Sequence, residues 1–325
     1  MSESSEPAGP GRPPRRRRSA VRDVLEFALF RLGTGALALL PARSREALGR
    51  SLARVYARLS ASRRRILLDN LAAAFPEKDP AEIARIGRAS AEWIGAAFVD
   101  FLEVSSLSED DVRSRVRIEG EENLRQARAR GRGVFLLSAH IGGWELGAIR
   151  AGLLGEPIAP VVRPLDNALL ESELARRRTR FGNRPIAKRD AARDVLRALS
   201  RGETVAILVD QNVLAREAVF VPFFGRPAAT TPALALFQLK TDAAVVPVFT
   251  WPEGGGRYRL EFESPIFAEE FRGLDRAEAV RAATARYMEV TEAAVRKAPE
   301  AWLWMHNRWR TRPEQATGGG PGDRG

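Results

Sequence analysis

The sequence predicts an α/β protein: a mostly parallel central sheet flanked by helices, preceded by a helical, membrane-associated segment. Three observations carry this. From Val116 onward, short apolar runs alternate with helical patterns, the mark of βαβ units. Before that point the periodicity is helical throughout. Val24–Leu40 is an almost unbroken apolar stretch. The chain has 325 residues, 45% of them hydrophobic, enough to bury a proper core in one large or two smaller domains. It divides into a basic disordered tail (1–20), a helical membrane-associated region (21–110), an α/β domain (111–313) and a disordered Gly-rich tail (314–325).

Taken in order, the first tail ends in Arg15–Arg18, a basic run suited to a membrane surface. Next, Val24–Leu40 (VLEFALFRLGTGALALL) is slightly short of the ~20 apolar residues a bilayer crossing needs. Glu26 and Arg31 interrupt it, and a charge at the centre of an inserted helix costs about 2.5–3.5 kcal/mol. An in-plane or shallow anchor is therefore favoured over a full span. No small-residue cleavage site follows, so a signal peptide is not expected. Residues 44–104 repeat apolar positions at helical spacing (Leu48, Leu52, Val55, Leu59, then Ile83, Ile86, Trp93, Ile94, Ala97), a platform to hold a site against the membrane. The alternating part reads as strand 116–119, helix 120–130, strand 133–138, helix 144–153 and strand 157–163. Helices 167–180 and 190–200, strands 203–209 and 218–221, helix 230–240, strands 244–250 and 257–263, and a long helix 275–297 follow. In such sheets sites lie beyond the carboxyl ends of strands, where His140 and Asp210 both fall.

Composition narrows the chemistry. With no cysteine, disulfides, thiolate catalysis and cysteine-ligated metal centres are excluded. The formal charge of +11, almost all arginine (the lysines are Lys78, Lys188, Lys240 and Lys297), asks for an anionic partner. Anionic lipid and nucleic acid are the candidates. The arginines are dispersed and no nucleic-acid motif is present, so nucleic acid is not expected.

The most informative stretch is Val134–Gly147 (VFLLSAHIGGWELG). A buried-strand run passes through Ser138 to His140, crosses Gly142-Gly143 and enters a helix at Trp144. His140 is one of two histidines, with His306. Five steps of about 100° put His140 and Glu145 on different faces of a continuous helix. With His140 on the turn, however, Glu145 can reach back to one ring nitrogen while the other faces substrate, as a general base requires. A histidine at a strand end is otherwise commonly structural.

SAHIGGWELG, together with ILLDNLAAAFPE (66–77), VVRPLDN (161–167), LVDQN (208–212), VFVPFFGRPAATTPA (219–233), VVPVF (245–249) and WLWMHNRWRTRP (302–313), resembles the bacterial lipid A late acyltransferases. These lauroyl/myristoyl transferases belong to the larger H-x4-D/E glycerolipid and lysophospholipid acyltransferase group. The blocks run in family order over roughly residues 21–313. The resemblance implies a glycerolipid acyltransferase-like α/β fold at the cytoplasmic face of the bacterial inner membrane. It implies transfer of an acyl chain from an acyl carrier protein or acyl-CoA to a hydroxyl of an anionic glycolipid, a lipid A precursor. Another glycolipid acceptor, such as a phosphatidylinositol mannoside, is the alternative. The alternative of another class is a basic membrane- or nucleic-acid-binding protein without catalysis.

For that reaction His140 takes the hydroxyl proton and Glu145 orients it and stabilises the imidazolium, as a serine-protease carboxylate does. Backbone N–H groups at Gly142, Gly143 and Trp144 are candidate oxyanion donors. A thiolate leaves easily, so neither metal nor cofactor is required. By the resemblance Arg163 binds a phosphate, with Asn167 assisting, and Asp210 and Gln211 position acceptor or loop; a surface arginine in a salt bridge is the plain alternative for Arg163. Arg178 and Arg180 add charge nearby or sit on a solvated helix face. Phe223 and Phe224, with Phe220, either line an acyl channel or pack in the core. Trp302, Trp304 and Trp309 with Arg308 and Arg310 suggest an interfacial aromatic-basic segment, and His306 is structural or substrate-adjacent. A serine hydrolase built on Ser138 lacks a G-x-S-x-G elbow, and a zinc hydrolase lacks H-E-x-x-H.

Overall fold

A computed structural model describes residues 19–155, 157–188 and 191–314; Arg15–Arg18 and most of both predicted tails lie outside them. Four helices come first: α1 (Ala20–Ala38), α2 (Ala42–Leu59), α3 (Ala61–Ala74) and α4 (Pro80–Glu103). Asp79 starts α4, its carboxylate accepting the Glu82 N–H at 2.8 Å, with Pro80 in the first turn where its missing donor costs nothing. A short α5 (Glu109–Arg115) leads into the alternating part. There β1 (Val116–Glu119), α6 (Glu121–Arg128), β2 (Val134–Ser138), α7 (Trp144–Gly152), β3 (Ile158–Val162) and α8 (Ala168–Thr179) follow in turn. Next are β4 (Ile186–Ala187), α9 (Ala191–Ser200), β5 (Thr204–Leu208), a hairpin of β6 (Val219–Phe223) and β7 (Arg226–Thr230), and α10 (Ala233–Thr241). The last elements are β8 (Ala244–Gly254), β9 (Arg257–Phe262) and α11 (Arg276–Lys297).

Seven strands form one sheet in the order β1-β9-β8-β2-β5-β3-β4. Every pairing is parallel except β8 with β9. The central β2 and β5 are buried on both faces, as helices on both sides of a parallel sheet require. Alternation along β2 divides the core. Phe135 and Leu137 join residues of α3, α9, α10, α11 and the C-terminal segment, whereas Val134 and Leu136 join those of α5, α6 and α7. The hairpin is separate from this sheet. Its turn places Phe224 at φ 51° and Gly225 at φ 69°, the left-handed pair that a tight two-residue connection needs.

The helical region has an unusual polarity. α1 turns Phe27 and Phe30 towards the protein along with Asp23 and Glu26, while Val21, Val24, Leu25, Leu29 and Leu32 are all more than half exposed. No helix among the described residues is long and apolar enough to cross a membrane. The predicted stripe of α2 also faces outward, with Leu52 57% and Leu59 81% exposed. α2 uses its small residues instead to press on α4. A Cβ on Gly95 would lie 2.4 Å from the Gly49 carbonyl oxygen and 2.5 Å from Ala53 Cβ.

Candidate active site

The sheet register creates the site. Ser138 of β2 pairs with Leu208 of β5, so the chain positions two residues beyond each strand, His140 and Asp210, emerge side by side at the carboxyl edge. The His140 turn is pinned by the C-terminal segment: the Gly142 N–H donates to Ala301 O (2.8 Å) and the Leu303 N–H to His140 O (3.2 Å). Gly142 has φ +53° and lies so near Thr250 that a Cβ would meet its carbonyl oxygen at 2.1 Å, so glycine is required there. Asn70 of α3 holds the same segment from behind, its amide donating to Trp304 O (2.9 Å) and His306 O (2.7 Å).

Three donors converge on the Asp210 carboxylate. His140 Nδ1 lies 2.9 Å from Oδ1, and Oδ2 accepts both the His140 backbone N–H (2.9 Å) and Trp302 Nε1–H (2.8 Å). Asp210 is 2% exposed. Burial alone would raise its pKa, but the charge and hydrogen bonds of His140 and the Trp302 indole outweigh it and hold the carboxyl far below the usual carboxylate range. For His140, burial pulls the pKa down. The Asp210 charge and hydrogen bond, with a contribution from the Glu145 charge, overcome it, and the net shift is upward. An acceptor-only carboxylate at Nδ1 fixes the proton there, so Nε2 carries the lone pair; Gln211 Nε2 stands 3.1 Å from it.

The expected contact between His140 and Glu145 is not made. Glu145, in the first turn of α7, binds Arg178 of α8 through two bonds, Nε to Oε2 (3.0 Å) and Nη2 to Oε1 (2.5 Å). The edge-on Trp144 ring, 5.1 Å from the imidazole between centroids, packs against His140 instead. Asp210, not Glu145, is the carboxylate that contacts His140 Nδ1.

A cavity of about 400 Å³ opens at this point. Its rim is cationic, with the exposed Arg163 and Lys188 and the part-buried Arg178, and carries His140 and Gln211. Its inner end is apolar: Leu136, Leu208, Val248 and Leu260 of the sheet face Ala148 and Ala151 of α7. Gly147 lets α7 approach β8 here, since a Cβ would lie 2.0 Å from Thr250 Oγ1.

Several expected site residues have other tasks. The Gly142 N–H is spent on Ala301, leaving only Gly143 and Trp144, at the start of α7, as backbone donors to a substrate. Asn167 is buried and caps α8: Oδ1 accepts the Leu169 and Leu170 N–H groups, and Nδ2 donates to Asp23 O and Glu26 Oε2. It has no capacity left for a ligand. Phe223 and Phe224 do not line the cavity; they pack edge-on against each other, Trp302 and Phe75, and at a tilt against Trp304. Trp302, Trp304 and Trp309 are likewise buried, as is Arg308, so this segment is core and not an interfacial belt. His306 accepts the Asn212 N–H (2.9 Å), and burial pushes its pKa down to about 4, so it is neutral and shapes the 211–213 loop. Ser138 Oγ donates to Val248 O (2.7 Å) and belongs to the sheet. No group of three metal-ligating side chains exists among the described residues. The sequence suggested Trp302 as part of an interfacial segment and Arg178 as nearby charge; in the structure they bond Asp210 and Glu145.

An imidazole with a fixed tautomer, an Nε2 facing the cavity, an adjacent helix start and an apolar pocket can remove a proton from an alcohol beside a long-chain thioester. The profile of the family described as bacterial lipid A biosynthesis acyltransferase matches residues 16–311. The lipid A biosynthesis lauroyltransferase of Escherichia coli (strain K12) is 31% identical over 290 residues, 87% of this chain and 92% of that protein. The palmitoleoyltransferase of the same organism is 30% identical over 254 residues (77% and 80%), and its myristoyltransferase 28% over 288 residues (86% of each). The chain belongs to the bacterial lipid A biosynthesis acyltransferase family and is an O-acyltransferase.

Proposed function

We propose that this enzyme moves a fatty acyl chain from an acyl thioester to a hydroxyl of a lipid A precursor at the cytoplasmic face of the inner membrane, with His140 as general base. The observation that carries the reading is the His140–Asp210 pair at the mouth of a cavity with a cationic rim and an apolar end. The acyl chain lies between α7 and the sheet, and the thioester carbonyl sits next to Nε2. His140 takes the acceptor's proton as its oxygen attacks, displacing the weak Gln211 contact. A positioned base contributes about 10²–10⁴-fold. Asp210 stabilises the resulting imidazolium. The oxyanion is met by the Gly143 and Trp144 N–H groups at the positive end of α7. Collapse of the intermediate expels a thiolate, which recovers the proton from His140.

Arg163 and Lys188 suit phosphates on the acceptor or on the donor's phosphopantetheine arm. Glu145 holds Arg178 at the same rim. A net charge of +11 favours an acidic carrier protein as donor. The outward apolar face of α1 supports an in-plane anchor. Lipid mass spectrometry on host membranes tests the proposal: with His140→Ala at matched expression, a lipid A species is expected to lack one acyl chain, and identical lipid profiles would refute it.

A further inference from the structure

A second pocket lies away from His140, where α2, α3 and α4 meet. It encloses about 200 Å³, and Arg54, Arg58, Arg64 and Arg88 surround a floor that includes Leu67 and Leu68. Among the described residues only Arg54 has a carboxylate neighbour, Glu92 at 3.7 Å; Arg64 donates weakly to the Arg58 carbonyl oxygen (3.4 Å). Among the described residues no carboxylate bonds Arg58, Arg64 or Arg88. What sets this place apart is the gathering of four guanidinium groups around leucine side chains, the lining of an anion site with an apolar base. Arg54, Ala57 and Arg58 bring α2 into the pocket, and the same helix carries the outward stripe of Leu52, Val55 and Leu59 on a neighbouring face.

We propose that this groove binds an anionic phospholipid of the bilayer, its phosphate held by Arg58, Arg64 and Arg88 and a chain lying on the leucine floor and the α2 stripe. An acidic protein surface would satisfy the arginines but leave Leu48, Leu52, Val55, Tyr56 and Leu59 in water, whereas a lipid covers both. The site gives the enzyme a second membrane contact besides α1 and does not depend on the catalytic reading.

The test is co-sedimentation of the full chain with vesicles of phosphatidylcholine alone or mixed with phosphatidylglycerol. Each arginine at an anionic surface is worth about fivefold in partitioning, from ~1 kcal/mol per basic residue. Arg58→Gln/Arg88→Gln should thus weaken binding to the anionic vesicles about 25-fold and leave binding to phosphatidylcholine unchanged. Arg125→Gln/Arg272→Gln removes the same charge from exposed sites elsewhere and should change binding less than about threefold. All four side chains are exposed, and circular dichroism verifies folding. Equal losses in the two double variants, or no loss in the first, would overturn the proposal. So would intact vesicle binding combined with weakened binding of acyl carrier protein, or with a raised acceptor KM in detergent micelles.

Discussion

Replacing Asp210 with asparagine tests the site through a change of a single atom. Oδ2 accepts two N–H groups, from the His140 backbone and the Trp302 indole, whereas Oδ1 accepts one. Asparagine has one oxygen and will place it where two donors converge. Its NH₂ then faces His140 Nδ1, which must become an acceptor, and the ring proton moves to Nε2, where the base needs its lone pair. The same tautomer error in a serine-protease triad lowers kcat by about 10⁴-fold. Here kcat should fall about 10³–10⁴-fold, or roughly 4–5.5 kcal/mol in the barrier, with KM nearly unchanged. The assay is steady-state acyl transfer followed by mass spectrometry, with thermal melts to establish that the variant is folded. Glu145→Gln should behave differently: Arg178 loses its bidentate partner and KM for the anionic substrate rises, with a smaller effect on kcat. If Asp210→Asn keeps more than about a tenth of kcat while Glu145→Gln loses about 10³-fold, Glu145 is the orienting carboxylate and the reasoning fails.

Other outcomes follow from the same geometry. As the proposed base His140 must be neutral to act, and its pKa is raised above 6.5, so kcat/KM should fall on the acid side with a limb above that value; Asp210→Asn removes the charge responsible and moves residual activity's limb downward. The corresponding stability term has the opposite sense, being fully present below pH 6.5 and lost as pH rises through the folded pKa. His306 is depressed to about 4, so the unfolded chain binds its proton first; stability is complete above pH 6.5 and declines towards pH 4. At ~1.4 kcal/mol per pKa unit the loss is up to roughly 3 kcal/mol, and urea unfolding of His306→Gln, whose amide oxygen can still accept the Asn212 N–H, should show a flatter acid limb. Gly95→Leu should destabilise by about 1–3 kcal/mol or more, read as a lower melting temperature, because α2 and α4 touch at the backbone there.

The alternating pattern from Val116 onward was legible because a βαβ chain writes its period directly into the sequence. Strand β7 was not, since RPAAT carries alanines and a proline in place of β-branched residues and exists only as the hairpin partner of VFVPF. The site was half legible. His140 stood out by position, but the carboxylate that bonds it comes from 70 residues away, brought alongside by the β2–β5 register, whereas the H-x4-E glutamate bonds Arg178. Asp210 also falling just past a strand was the available signal. Leu48, Leu52, Val55 and Leu59 show another limit: periodicity defines an apolar face but not whether it turns to a core or outward. The tryptophans of WLWMHNRW show the converse, with an interface-like composition folded into the core.

The most direct measurement is acyl transfer by purified enzyme, offered a lauroyl or myristoyl thioester of acyl carrier protein and a lipid A precursor, beside His140→Ala. An acceptor heavier by one acyl chain is expected with the wild type, and at least a ~10²-fold slower gain with the variant. Equal rates for the two proteins would contradict His140 as the base, and no product from the wild type with any phosphorylated glycolipid acceptor would contradict the substrate class.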